Sequence, residues 1–276
     1  MITGAGGMLA HAVHAVIEQR GHAAIPLDRR ALDVTDEAAV SAAVLRERPD
    51  AVIQCAAWTR VDDAEREETA ALRTNGDGVA HVARACLETG ARLIYPSTDY
   101  VFDGHATTPI PPDAPTAPIN AYGRSKLAGE AMAALSQDAL TVRTSWLYGR
   151  GGRNFVTTIL DRARAGQALR VIDDQHGAPT WTRDLAGMMV MLLELDAPAG
   201  VYHATNSGAT TWYGLACAAL EIAGIEADIT PTTSAEFATA ARRPAYSVLD
   251  CSATYALVGT APDWRAALGA AIAEGF

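Results

Sequence analysis

Ala121-Tyr122-Gly123-Arg124-Ser125-Lys126-Leu127-Ala128-Gly129-Glu130 decides how this chain is read. On a helix, Tyr122 and Lys126 stand at i and i+4 and share one face. An ammonium beside a phenol favours phenolate, so the spacing predicts a Tyr122 pKa lowered by Lys126. Such a tyrosine can give a proton to a carbonyl oxygen as hydride reaches the carbon. The pair alone also fits an ordinary surface helix, so its surroundings must decide.

Upstream runs Ile94-Tyr95-Pro96-Ser97-Thr98-Asp99-Tyr100-Val101-Phe102-Asp103-Gly104. A short apolar run ends in hydroxyls, the pattern of a buried parallel strand at its carboxyl end, where open α/β sheets bind ligands. Thr98 can hydrogen-bond the same carbonyl oxygen that Tyr122 would protonate. The block from Ser97 to Gly104, followed by the block from Tyr122 to Glu130, resembles the extended short-chain dehydrogenase/reductases. Within them it is similar to the sugar-nucleotide 4-ketoreductase branch, and the resemblance covers nearly the whole chain.

That resemblance implies a Rossmann-like doubly wound parallel sheet with a smaller C-terminal α/β substrate-binding domain. It implies NADPH or NADH as cofactor and a dTDP-6-deoxy-hexose whose 4-keto group is reduced. Tyr122 would donate the proton, Lys126 would hold the nicotinamide ribose, and Thr98 would orient the carbonyl. Asp99, Tyr100 and Trp146 would border the sugar.

Gly4-Ala5-Gly6-Gly7-Met8-Leu9-Ala10 opens the chain, just before an amphipathic stretch from Leu9 to Gln19. Glycines there let the backbone approach a pyrophosphate that rests on a helix N-terminus, a reading that makes Gly4, Gly7, Met8 and Leu9 cofactor contacts. Met1-Ile2-Thr3 leaves room only for a very short first strand, unless the natural start lies upstream. Asp28-Arg29-Arg30 follows the expected second strand, Ala23 to Leu27. An acidic residue there suits an adenosine ribose and an arginine suits a 2′-phosphate, so both cofactors remain open. The resemblance places Asp33 and Val34 beside the adenine; Thr35 or Asp36 also reads as a helix cap.

Asp50 to Thr59 reads as a buried strand running into small residues, and by resemblance Ala56, Ala57 and Thr59 touch the dinucleotide. The family's usual asparagine and tyrosine are replaced here by Gln54 and Trp58. Val61 to Glu65 reads as a solvated acidic helix start rather than a metal site. Thr74-Asn75 is expected to begin a long helix, with Asn75 where the superfamily keeps a site brace. Pro109 to Pro118 holds five of the 13 prolines and must be a loop. Leu140 to Gly149 reads as one strand ending in glycine, with Trp146 either beside the sugar or in the core.

The expected domains are 1–150 for the dinucleotide, with a strand near 200–206 returning to the sheet, and 151–276 mainly for the substrate. His176 reads as a polar loop residue and Trp212 to Ala223 as a helix. Arg242 and Arg243, before Pro244, are the best clamp for a diphosphate, because guanidinium binds phosphate bidentately.

Composition limits the alternatives. The 276 residues allow about two domains. The 49% apolar and 20% charged fractions are those of an ordinary globular enzyme. A net charge of −10 argues against nucleic acid held by a basic surface. Cys55, Cys86, Cys217 and Cys251 lack metal-ligand spacing and read as reduced thiols, mostly buried, in a cytoplasmic protein. No membrane span is expected. Mg²⁺ and a homodimer are compatible with the family but not legible in the residues. Two rivals remain: a sugar-nucleotide epimerase or dehydratase using Asp99 as an added base, and a non-catalytic subunit resembling the regulatory subunit of methionine adenosyltransferase.

Overall fold

A computed structural model describes residues 1–237 and 239–275. The strands are β1 (Ile2–Thr3), β2 (Pro26–Leu27), β3 (Ala51–Gln54), β4 (Arg92–Thr98), β5 (Leu140–Thr144), β6 (Leu147–Tyr148), β7 (Leu169–Ile172), β8 (His176–Gly177), β9 (Thr180–Trp181), β10 (Gly200–His203), β11 (Thr210–Thr211) and β12 (Ile229–Thr232). The helices are α1 (Met8–Gln19), α2 (Glu37–Glu47), α3 (Val61–Ala64), α4 (Glu68–Leu72), α5 (Gly78–Thr89), α6 (Ala121–Ala133), α7 (Phe155–Arg164), α8 (Thr182–Glu194), α9 (Trp212–Ala223), α10 (Ser252–Val258) and α11 (Trp264–Ala273).

Six strands form one sheet in the order β10-β5-β4-β3-β1-β2. Every pairing in it is parallel, so helices must carry each crossover. The order reverses beside β1, the doubly wound pattern. Successive strand residues face opposite ways. Ile53 and Ile94 enter a core with α1 and α8, while Val52 and Leu93 enter one with α2 and α5. Both faces are thus covered, which is why the strands read as apolar runs rather than alternations. β10 does return to the sheet, pairing with β5 from Gly200↔Leu140 to His203↔Arg143.

A third core lies beyond β6. It gathers Val156, Ile159 and Leu160 of α7 with Leu215 and Leu220 of α9 and Leu268 of α11. The pair β7–β12 is parallel, and β8–β11 is antiparallel.

Three local expectations need correction. Thr74-Asn75 does not begin a helix. Arg73–Asp77 is a π-helical turn joining α4 to α5, so the helix is already under way. The stretch Leu140 to Gly149 is not one strand. It splits at Ser145-Trp146, where Trp146 has φ +48°, and β6 pairs with β9 instead of the main sheet. His176, expected in a loop, is a residue of β8. The caps fared better: Asp36 caps α2, its side chain accepting from Ala39 N.

Candidate active site

Thr98 is the last residue of β4, and α6 lies over that strand with Tyr122 in its first turn. Asn120 starts the helix, its side-chain oxygen accepting from Gly123 N at 2.7 Å. Its amide donates to Arg242 O at 2.8 Å, fixing that stretch to the same helix end. Glu65 adds an acceptor for Ala121 N at 2.8 Å. Asparagine suits that position because its side-chain oxygen can accept from a free N–H of the first turn.

Lys126 is 3% exposed. Its Nζ donates to Pro96 O at 2.7 Å and sits 4.1 Å from the centre of the Tyr95 ring. Burial drives its pKa down to about 7, against the opposing charges of Glu130 and Cys55. The ammonium therefore faces β4 and the Tyr95 ring. It does not lower Tyr122: burial raises that hydroxyl above the ordinary value, the charge of Asp99 raises it further, and a hydrogen bond with Thr98 opposes both. This corrects the simple i, i+4 expectation. A buried lysine turned toward a carbonyl stabilises the phenolate less than a solvated pair drawn on a helical wheel would suggest.

Asp99 is 2% exposed, and burial raises its pKa to about 7, opposed by hydrogen bonds from Ser247 and Thr98. The Thr98 hydroxyl donates to Asp99 Oδ1 at 3.0 Å and accepts from Tyr100 N at 3.2 Å. Tyr100 meets Tyr122 edge-on, ring centres 5.9 Å apart. Thr98, Asp99, Tyr100, Tyr122 and Lys126 are thus brought together.

Beneath them lies a buried network not anticipated from the sequence. Glu130 Oε1 accepts from Ser97 Oγ at 2.6 Å and Arg143 Nε at 2.8 Å, and Oε2 accepts from Arg143 Nη2 at 2.7 Å. Arg143 Nη1 also donates to Pro112 O at 3.0 Å, tying the proline loop to the site. Asn75 ties the loop after β3 to α6: its oxygen accepts from Trp58 N at 2.8 Å, and its amide donates to Trp58 O at 3.0 Å and Ser125 Oγ at 2.9 Å.

At the carboxyl end of β1, Gly4 has φ +62°, and a Cβ there would lie 2.6 Å from Ala56 backbone atoms. Only glycine suits both demands. Gly7 caps α1 with no side-chain hydrogen bond, and a Cβ on Gly6 would meet nothing within 4 Å. The turn is open above uncapped helix N–H groups, which fits a pyrophosphate. Met8 and Leu9 begin that helix. Gln54 holds the next loop: Thr3 Oγ1 donates to Gln54 Oε1 at 2.7 Å, and Gln54 Nε2 donates to Ala56 O at 3.3 Å. Ala57 is half-buried and Thr59 exposed. Asp28 Oδ1 accepts from Arg30 N and Ala31 N, each at 2.9 Å. The Arg29 side chain, 86% exposed, reaches Asp33 at 3.5 Å. Asp33 is kept below the usual carboxylate range mainly by Thr35, whose N and Oγ1 donate to it at 3.0 and 2.9 Å; Val34 is buried.

Trp146 stacks on Trp212 with ring centres 3.6 Å apart. Arg243 forms a fork on Asp62, while Arg242 is exposed. His176 is an exposed residue of β8, tilted toward Tyr246. All four cysteines are free, Cys86 and Cys251 buried and the other two half-buried. Among the described residues, no group of three or more His, Cys, Asp or Glu side chains could hold a metal ion, and no helix is long and apolar enough to cross a membrane.

Residues 1–275 match the family described as the RmlD substrate binding domain. The chain is 47% identical to a dTDP-4-dehydrorhamnose reductase of Streptomyces griseus, over 97% of this chain and 91% of that protein. It is 42% identical to a dTDP-4-keto-6-deoxy-D-glucose reductase of Streptomyces niveus, over 90% and 87%. The crystal structure of a Bacillus anthracis dTDP-4-dehydrorhamnose reductase in complex with NADP superposes with a TM-score of 0.95 at 36% identity, covering 99% of this chain and 98% of that one. With the geometry of Thr98, Tyr122 and Lys126, these matches establish that the chain belongs to the dTDP-4-dehydrorhamnose reductase family.

Proposed function

We propose that this protein reduces the 4-keto group of a dTDP-4-dehydro-6-deoxy-L-hexose, dTDP-4-dehydro-L-rhamnose or a close deoxysugar analogue. The observation that carries the reading is the meeting of Thr98, Tyr122 and Lys126 at the carboxyl end of β4, beside an uncapped glycine turn. Bound nicotinamide dinucleotide supplies the hydride. Thr98 offers its hydroxyl to the carbonyl oxygen. Tyr122, kept protonated by burial and Asp99, delivers the proton there. Lys126 would hold the nicotinamide ribose. An assembled set of this kind weighs against a purely regulatory subunit.

Gly4, Gly7, Met8, Leu9, Ala56, Ala57 and Thr59 would line the dinucleotide, with Asp33 and Val34 at the adenine. NADPH is the favoured cofactor. The Asp28 carboxylate already accepts two backbone N–H groups of its own turn, whereas the Arg29 guanidinium stands in solvent, ready for a 2′-phosphate. Residues 1–150 with β10 would serve the dinucleotide and residues 151–276 the sugar nucleotide. Asp99, Tyr100 and Trp146, from the rim of the first part, would border the sugar, and Arg242 or Arg243, from the second, would meet the diphosphate.

The test is direct. Purified protein is mixed with NADPH and dTDP-4-dehydro-L-rhamnose, and the loss of nicotinamide absorbance is followed. Stoichiometric oxidation with a reduced sugar product supports the reading. No oxidation with this or any dTDP-4-ketosugar overturns it.

A further inference from the structure

We propose that Trp212 is a positioning residue of the sugar pocket, holding the indole of Trp146 in place. This rests on the reading above that Trp146 borders the sugar. Trp146 lies two positions beyond Thr144, the register partner of Thr98, and so at the rim where the reacting carbonyl would sit. Its φ of +48° is foreign to a bulky side chain. Such strain persists only where the surroundings enforce it, and it gathers at functional sites.

Three features enforce it here. Trp212 lies flat on Trp146, rings 3.6 Å apart and 9° from parallel. Gly177 presses against the same indole: a Cβ at that position would lie 2.4 Å from Trp146 Cε2, so only glycine lets the ring lie there. Thr180 N donates to Trp146 O at 3.2 Å. Trp212 is itself anchored. Its Nε1 donates to Gln175 Oε1 at 3.1 Å, and Gln175, 4% exposed, donates onward to Ser234 Oγ at 2.8 Å. Phe155 backs Trp212 at 4.6 Å. Trp212 belongs to α9 and the third core, whereas Trp146 leaves the main sheet. The stack therefore fixes the sheet rim relative to the substrate side, and no side chain of the Thr98–Tyr122–Lys126 set takes part in it.

The experiment compares Trp212→Leu, Trp212→Phe, Leu268→Ala and Trp146→Leu under steady-state turnover, with dTDP-4-dehydro-L-rhamnose and NADPH varied separately. Trp212→Leu should raise the sugar-nucleotide KM about tenfold, the scale of one lost aromatic pairing. The NADPH KM and kcat should hardly move. Trp212→Phe should restore most of the affinity, and Leu268→Ala, which loosens the same core at a residue outside the ring contacts, should leave it alone. The stacked indoles should also give an exciton couplet in circular dichroism, lost in Trp212→Leu and altered by dTDP-L-rhamnose but not by NADP⁺. If the couplet disappears while the sugar KM stays at the wild-type value, the positioning role is refuted. Equal rises in both KM values with a lower melting temperature would equally refute it, showing only a core residue. If Trp146→Leu itself leaves KM unchanged, the fault lies in the place assigned to Trp146, and the inference falls with it.

Discussion

Arg243 grips Asp62 across 181 positions of sequence, Nη1 to Oδ1 at 3.0 Å and Nη2 to Oδ2 at 2.6 Å. The pair joins α3 to the stretch leading to Pro244. Asp62 is accordingly held below the usual carboxylate range, chiefly by that arginine. A guanidinium so engaged must exchange one anion for another to bind a diphosphate, while exposed Arg242 need not. Removing a charge-assisted contact costs roughly 1.5–3 kcal/mol, or about 10- to 150-fold in affinity. We expect Arg242→Ala, Arg243→Ala or both to raise KM for the dTDP-sugar by that factor. kcat should stay nearly constant, because the diphosphate keeps its charge through hydride transfer. If Arg243 is the clamp, Asp62→Asn should lower KM by freeing the fork. Wild-type KM in both arginine variants would move the clamp elsewhere, with Arg153 or Arg170 next.

Tyr122→Phe removes the proton donor but keeps the ring that meets Tyr100 edge-on. Loss of a general acid should lower kcat by about 10²-fold or more. NADPH affinity, measured by fluorescence titration, should change little. A variant turning over near the wild-type rate would mean that another group delivers the proton.

The parts written in contiguous residues were the legible ones. Tyr122 and Lys126 share one helix, Thr98 ends an apolar run, and the glycine turn precedes an amphipathic helix, so each announced itself within ten or so positions. What escaped depends on distance or on backbone state. No local pattern relates Asp62 to Arg243, or Glu130 to Arg143, Ser97 and Pro112, since these meet only once parallel strands are registered. Trp146 breaks an apparently continuous strand because it adopts φ +48°, which tryptophan does not signal. The π-turn at Arg73–Asp77 lengthens a helix without changing its composition, so Asn75 looked like a beginning. The i, i+4 rule placed Lys126 on the right face, but could not say that its ammonium would settle on Pro96 O and Tyr95.

Arg29 bears on cofactor choice. Its guanidinium is in solvent, and its ion pair with Asp33 is long at 3.5 Å. NADPH should therefore have a kcat/KM at least equal to that of NADH, and Arg29→Ala should reduce the NADPH value selectively. The check is kcat/KM for both cofactors in both proteins. A strong NADH preference that survives the substitution would overturn the assignment and return Asp28 to the ribose.

Lys126 makes stability depend on pH in a definite direction. Its folded pKa is about 7, lowered by burial, while an unfolded lysine titrates near ~10.4. Below about 7 both states carry the proton, and folding bears the full cost of burying it. Between those values the unfolded chain holds a proton that the folded one has released, so this contribution to stability rises with pH. The whole effect is on the order of 5 kcal/mol, from the gap between about 7 and ~10.4 at 1.36 kcal/mol for each step of one in pH. Asp99, raised to about 7, works the other way in a lower window. Its carboxyl is charged more readily when unfolded, so its contribution falls as pH rises from ~3.9 to about 7. Lys126→Met separates the two, since the methionine variant keeps Asp99 and cannot titrate at 126. Urea unfolding of both proteins at about pH 6 and about pH 9 gives the needed difference. The wild type should gain on the variant by a few kcal/mol across that interval. A difference that stays flat, or that shrinks as pH rises, would mean that Lys126 keeps an ordinary pKa in the folded protein, and that its ammonium is solvated or paired more fully than the contacts with Pro96 and Tyr95 allow.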